Sequence, residues 1–215
     1  MPIVCPTITA HTAKEYEKQL HKVMPFAHRI QIDLTDGIFA GPLTVEPADA
    51  WWPAGSKADF HLMYDHPMSA IKTIAAHKPH LIIVHAEAKG DFDEVADYCR
   101  TRGIKVGVAL LQKTEPQKIL AALGRIDHVL IFSGNLGHQG GGHIDFNLLG
   151  KVKALKAKKA DLEIGWDGGV NSQSVSQLVF GGVDVLNVGS YIQNADDPVK
   201  TFHSLQRIAD ETGTT

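Results

Sequence analysis

Eight short apolar runs recur along the chain, at residues 3–8, 30–34, 58–63, 81–85, 105–111, 128–132, 162–166 and 185–188. Most are rich in β-branched and aliphatic residues, and Leu81-Ile82-Ile83-Val84 is wholly apolar, as a strand covered on both faces should be. Segments compatible with amphipathic helices lie between most of them, at 13–23, 68–77, 92–102, 116–123, 146–158, 175–180 and 198–211. Thr12, Pro67 and Asp91 stand where helices start, and Gly103 where one stops. Alternating strands and helices predict a parallel sheet, and eight such units in 215 residues predict a small closed (β/α)8 TIM barrel in a single domain over 1–215. An open doubly wound sheet would carry a glycine-rich turn after its first strand, whereas Cys5-Pro6-Thr7-Ile8-Thr9 has no glycine. Only the second connection is irregular: Pro42, Pro47 and Pro53 interrupt it around Trp51 and Trp52, which read as packing for a short helix.

Composition narrows the function classes. A formal charge of −3 with interspersed signs argues against a nucleic-acid partner. No apolar run approaches the ~20 residues that span a bilayer, and Met1 to Pro6 has no leader-like pattern, so a cytoplasmic protein is expected. Cys5 and Cys99 are not in a short ligand spacing and read as small buried hydrophobes.

In a barrel of this kind, active sites form at the C-terminal strand ends. On the second strand, Gln31, Asp33 and Thr35 share one face by the two-residue period, which puts a carboxylate where packing is expected. The other strand ends supply Thr7, His61, Met63, His85, Glu87, Ser133, Asn135, Asp167, Gly189 and Ser190. Two aspartates and a histidine converging on one mouth predict a site of metal-binding or acid–base type. Asp167-Gly168-Gly169-Val170-Asn171 and Asn187-Val188-Gly189-Ser190 follow the last two strands, the usual position of a phosphate site in such barrels. A third loop, from Ser133 to His143, has five glycines in eleven residues and reads as a lid, with His138 and His143 on its surface.

These motifs resemble the ribulose-phosphate 3-epimerases along essentially the whole chain. Pro6-Thr7-Ile8 resembles the family's Pro-Ser-Ile, and Asp33-Leu34-Thr35-Asp36-Gly37-Ile38-Phe39 its Asp-Val-Met-Asp-Gly-x-Phe. His61-Leu62-Met63 resembles its His-Leu-Met, His85-Ala86-Glu87-Ala88 its His-x-Glu-Ala, Asp167 to Asn171 its Asp-Gly-Gly-Ile-Asn, and Gly189-Ser190 its closing Gly-Ser. The resemblance implies an isomerase of carbohydrate metabolism, in the pentose phosphate pathway, interconverting D-ribulose 5-phosphate and D-xylulose 5-phosphate at C3. It implies Asp33 and Asp167 as the acid–base pair. Asp33, His61 and Asp167 would be ligands of a divalent metal cation (zinc, manganese, iron, cobalt or magnesium). Thr7, Gln31, His61 and Met63 would line the substrate, and Gly137, Gly168, Gly169, Gly189 and Ser190 its phosphate. The expected partner is a small sugar phosphate, with no nucleic acid or membrane, and the family leaves room for a homo-oligomer.

The chain also departs from the family. Gln31 stands where the family has a metal-binding histidine, Thr35 and Phe132 where it has methionines, and Leu136-Gly137-His138-Gln139-Gly140 where it has Pro-Gly-Phe-Gly-Gly. An amide oxygen suits harder cations better than zinc. These changes keep open an epimerase for another ketose phosphate, or a barrel that binds a sugar phosphate without turning it over. Hexulose-phosphate synthases and related decarboxylases resemble an Asp-x-Lys-x-x-Asp pattern, which Asp33-Leu34-Thr35-Asp36 lacks.

Overall fold

Each apolar run forms a strand in the computed structural model, which describes residues 1–140 and 142–214; Gly141 of the glycine-rich loop lies outside the described residues. The strands are β1 (Ile3–Thr9), β2 (Arg29–Thr35), β3 (Lys57–Met63), β4 (Leu81–His85), β5 (Lys105–Leu110), β6 (His128–Phe132), β7 (Glu163–Asp167) and β8 (Val185–Val188). All pair in parallel, and β8 closes onto β1, so the sheet is a barrel without a free edge. Every residue of β2 and β4 is buried, because helices cover the outside and the lumen encloses the inside.

The helices are α1 (Ala13–Val23), α2 (Met68–Ala75), α3 (Phe92–Arg100), α4 (Leu149–Lys158), α5 (Val175–Phe180), α6 (Ser190–Gln193) and α7 (Pro198–Gly213). The Thr12 side chain caps α1 by accepting from the Glu15 N–H, and Asp91 caps α3 by accepting from the Asp93 N–H. α1 turns Tyr16, Gln19, Leu20 and Val23 inward, the three-and-four spacing of an amphipathic helix. Leu20, Ile71 and Ile74 meet the outward residues Ile30, Ile32 and Leu34 in the main apolar core. Each such buried aliphatic side chain contributes roughly 1.5–3 kcal/mol. Inside the barrel a smaller cluster of Leu81, Ile83, Ala109 and Leu130 fills the lumen between two polar layers. Both cysteines are free and buried, as expected.

Three local expectations differ. Residues Pro116–Arg125 wind as a 3-10 helix, and a 3-10 turn, Phe146–Leu148, precedes α4. The connection holding Trp51 and Trp52 contains turns and no helix. Trp52 packs edge-on to Phe60 with ring centroids 5.4 Å apart, whereas Trp51 is 43% exposed and its ring meets the His21 ring edge-on at 6.0 Å, with its backbone carbonyl accepting the Tyr16 hydroxyl at 2.6 Å. The unforeseen α6 begins right after Gly189, beside the mouth.

Candidate active site

Strand register assembles the site. Asp33 pairs with Thr9 on one side and His61 on the other, while Thr7 pairs with Gln31 and Thr35 with Met63. Thr9 Oγ1 donates to Asp33 Oδ2 at 2.7 Å, and His61 Nδ1 lies 3.1 Å from Asp33 Oδ1. Across the lumen, Asp167 ends β7. The Gln31 amide spans the gap, with Nε2 donating to Asp33 Oδ1 at 2.9 Å and to Asp167 Oδ2 at 2.5 Å. Its Oε1 is buried without a hydrogen-bond partner among the described residues. Burial, and then the neighbouring Asp33 carboxylate, hold the Asp167 carboxyl well above its ordinary range; His61 and the Gln31 amide pull the other way and lose.

One ligand atom each from Asp33, His61 and Asp167 lies within 4.8 Å of the others, a donor set able to hold a metal ion. Gln31 is compatible with it. An amide's oxygen and nitrogen change places by a half-turn at the end of the side chain, so the orphaned oxygen can face the cluster. Two carboxylates, an imidazole and an amide oxygen are acceptable donors for a divalent cation.

Above this floor opens a cavity lined by Thr7, Thr9, Asp33, Met63, Phe132, Asp167 and Asn187, and by the turns at Gly168-Gly169 and Gly189-Ser190. Gly168 has φ +114 and Gly169 φ +73, and a Cβ on Gly169 would meet the Ile144 nitrogen at 2.7 Å. Glycine is required there by backbone conformation and by close approach. The glycine-rich loop crosses the mouth: Gly134, Asn135, His138, Gln139, Gly140 and Gly142 line the cavity, while His143 is exposed. Gln139 reaches over to β1, donating to the Thr7 carbonyl at 2.8 Å.

The expected residues therefore fall into three positions. Asp33, Asp167, Thr7, Met63, Gly168, Gly169, Gly189 and Ser190 face the cavity. Gln31 and His61 are buried, Gln31 with its amide on both aspartates and His61 with Nδ1 on Asp33. Gly137 does not line the cavity; its N–H donates to Met63 Sδ at 3.3 Å, and a Cβ there would meet the Gly41 carbonyl oxygen at 2.5 Å, so it anchors the loop at a place only glycine fits. Asn187 is an addition to the expected set, and its buried Oδ1 has no hydrogen-bond partner among the described residues. It lies in β8, in the segment Asn187-Val188-Gly189-Ser190 that stands out for its glycine, although an inward asparagine near a strand end is itself a readable signal. Thr35 turns its hydroxyl to the Pro42 carbonyl at 2.6 Å.

Behind His61, His85 Nε2 approaches His61 Nε2 to 2.8 Å. Burial pushes the His85 imidazole down to about 4, although the Glu87 carboxylate opposes this. Burial would raise Glu87, but His85 and the Thr114 hydroxyl outweigh it and bring its carboxyl down to about 2.

A closed β/α barrel with carboxylates and an imidazole gathered at its C-terminal mouth is the architecture of a barrel enzyme. The sequence matches the family described as "Ribulose-phosphate 3 epimerase family" over residues 3–193. The chain belongs to that family, whose members are isomerases acting on carbohydrates. It is 30% identical over 185 residues to the ribulose-phosphate 3-epimerase of Bacillus subtilis, covering 82% of this chain and 85% of that one. It is 29% identical to the Helicobacter pylori (strain J99) enzyme of the same name, covering 92% of each. Among solved structures, KGPDC from Streptococcus mutans superposes with a TM-score of 0.75 at 12% identity, covering 99% of both chains. The 3-hexulose-6-phosphate synthase of Salmonella typhimurium gives 0.69 at 14% identity, covering 98% of this chain and 99% of that one. At such identities the likeness shows the fold alone. Among the described residues no helix is long and apolar enough to cross a membrane.

Proposed function

We propose that the chain, as one domain over residues 1–215, is a cytoplasmic 3-epimerase that interconverts D-ribulose 5-phosphate and D-xylulose 5-phosphate. The observation that carries this reading is the pair Asp33 and Asp167, on strands facing each other across the lumen and joined by the Gln31 amide. Epimerisation next to a carbonyl removes a proton from one face and returns it on the other, which calls for two acid–base groups on opposite sides of the substrate. Their surroundings differ in the useful sense. Burial and the Asp33 charge favour the protonated Asp167, as suits an acid, which leaves Asp33, on the other side of the site and in reach of the Thr9 hydroxyl, to accept the proton. In the reverse direction the roles exchange.

Asp33, His61 and Asp167, with the Gln31 oxygen turned inward, would hold the divalent cation. Once bound, that ion would supply positive charge beside the substrate oxygens as the enediolate develops. Met63 and Phe132 line the same cavity and keep water from the reacting carbons. The backbone turns at Gly168-Gly169 and Gly189-Ser190 open toward its other end, where N–H groups suit a phosphate.

The test supplies metal-freed protein with manganese, zinc, iron, cobalt or magnesium and follows conversion of ribulose 5-phosphate to xylulose 5-phosphate. Turnover that chelation removes and one of these ions restores is the expected outcome. No turnover with any of them, with phosphate-ester binding intact, would replace the enzyme by a binding barrel. Gln31→His bears on the metal site separately. An imidazole at this position should tighten zinc binding by about tenfold, or about 1.4 kcal/mol, in competition with a chelating dye. Unchanged affinity would mean that residue 31 does not face the cation.

A further inference from the structure

His61 has two ring nitrogens, and only the one facing Asp33 is used by the reading above. The other leads into a chain of groups with no catalytic assignment. His61 Nε2 lies 2.8 Å from His85 Nε2, and His85 Nδ1 faces Glu87 Oε2 across 3.4 Å. That approach is longer than a well-formed hydrogen bond, and among the described residues neither His85 Nδ1 nor Glu87 Oε2 has any hydrogen-bond partner, so the two are unpaired buried groups that face each other. Glu87 Oε1 accepts from the Thr114 hydroxyl. The loop that carries Thr114 is fixed in turn by the buried Lys151, whose ammonium donates to the carbonyls of Leu111 at 2.9 Å, Gln112 at 2.7 Å and Thr114 at 2.8 Å. The side chains of both histidines have no exposed surface, so their hydrogens must be shared along this chain.

The order of donors then follows from the end of the chain. A carboxylate only accepts, so the hydrogen facing Glu87 sits on His85 Nδ1. A neutral imidazole carries one such hydrogen, which leaves His85 Nε2 as an acceptor. Two ring nitrogens 2.8 Å apart share one hydrogen, so it belongs to His61 Nε2. His61 Nδ1 is then a bare lone pair, 3.1 Å from Asp33 Oδ1. Two electron-rich atoms at that distance call for a positive species beside them, and a bare ring nitrogen is the form that ligates metal.

We infer that Glu87 and His85 are positioning residues that hold His61 in its Nε2–H tautomer and so aim the Nδ1 lone pair into the acid–base cluster. The consequence for metal affinity rests on the cation reading above; the tautomer itself does not.

The experiment labels histidine nitrogens with 15N and reads their chemical shifts in metal-free protein at a pH of about 9, well above the usual imidazole range. The expected spectrum has His61 bare at Nδ1 and protonated at Nε2, with His85 protonated at Nδ1. In Glu87→Gln the side-chain amide can donate to His85 Nδ1, which reverses every donor in the chain. The His61 hydrogen should then move to Nδ1, and zinc or manganese affinity should fall by about 10- to 100-fold. Thr114→Val loosens Glu87 without changing its chemistry and should keep the wild-type tautomer, a difference that general disruption of the loop would not produce. A hydrogen on His61 Nδ1 in the wild-type protein, or a wild-type tautomer in Glu87→Gln, would overturn the inference. If Glu87→Gln does not fold, the wild-type spectrum decides it. If the wild-type protein takes up neither ion while its tautomers are as expected, the cation reading falls and the relay stands.

Discussion

Asp167→Asn lowers the turnover of ribulose 5-phosphate by about 10²- to 10⁴-fold, the usual worth of one positioned acid–base group. Phosphate-ester binding persists, because Gly168-Gly169 and Gly189-Ser190 offer backbone groups that the substitution leaves in place. The same change makes the metal-free protein more stable near neutral pH. The folded state holds the Asp167 proton more tightly than the unfolded chain does, because of burial and of Asp33. As pH rises above the carboxyl's unfolded range, ionisation therefore favours unfolding. A neutral amide does not ionise, so the variant escapes that loss. Denaturant titrations should place its midpoint above that of the wild type near neutral pH and show the advantage shrinking in acid. Retained turnover would remove Asp167 from the acid–base pair, and a midpoint below the wild type at neutral pH would mean that its charge is not a source of strain.

The barrel was legible in the sequence because it depends on long-range repetition: apolar runs such as Leu81-Ile82-Ile83-Val84, spaced by helices with readable starts at Thr12 and Asp91. Asp33, His61 and Asp167 were legible because the fold gathers strand ends at one mouth, which converts distance along the chain into proximity. What was not legible depends on where side chains point within a loop. Gly137 shares its segment with Gly134, Gly140 and Gly142, and only the folded loop shows that its N–H goes to Met63 while those three line the cavity. Gln139 is an ordinary loop residue until it is seen reaching the Thr7 carbonyl on another strand. His85 and Glu87 lie between these cases. Both were visible at a strand end, but their link runs through His61 and Thr114, from two other parts of the chain.

The opposite end of the barrel gives the largest expected effect on stability. Arg29→Met lowers it by about 3–5 kcal/mol, the cost of leaving buried charges without their partner. At this chain length that corresponds to a fall of roughly 6–20 °C in Tm. Arg29 begins the inward face that continues through Gln31 and Asp33. Its Nε meets Asp59 Oδ2 at 2.5 Å, and its two terminal nitrogens clasp the Glu163 carboxylate at 2.9 and 2.8 Å. His80 and His128 complete the cluster, each 2.7 Å from a carboxylate oxygen. Asp59 is 2% exposed, so water cannot take the guanidinium's place. Arg29→Met combined with Asp59→Asn should recover part of the loss, since it removes the stranded charge as well as its partner. The pH dependence has the sign opposite to that of Asp167. Burial would raise the Glu163 carboxyl, but Arg29 and His128 outweigh it and hold it far below the ordinary range. Its contribution is complete above the unfolded carboxyl range, about pH 4.3, and is lost as pH falls from there toward the lower folded value. Urea midpoints should therefore drop more steeply in acid for the wild type than for Arg29→Met, which has lost the principal cause of the depression. Parallel acid dependence in the two proteins would show that the Arg29–Glu163 clasp does not anchor the base of the barrel.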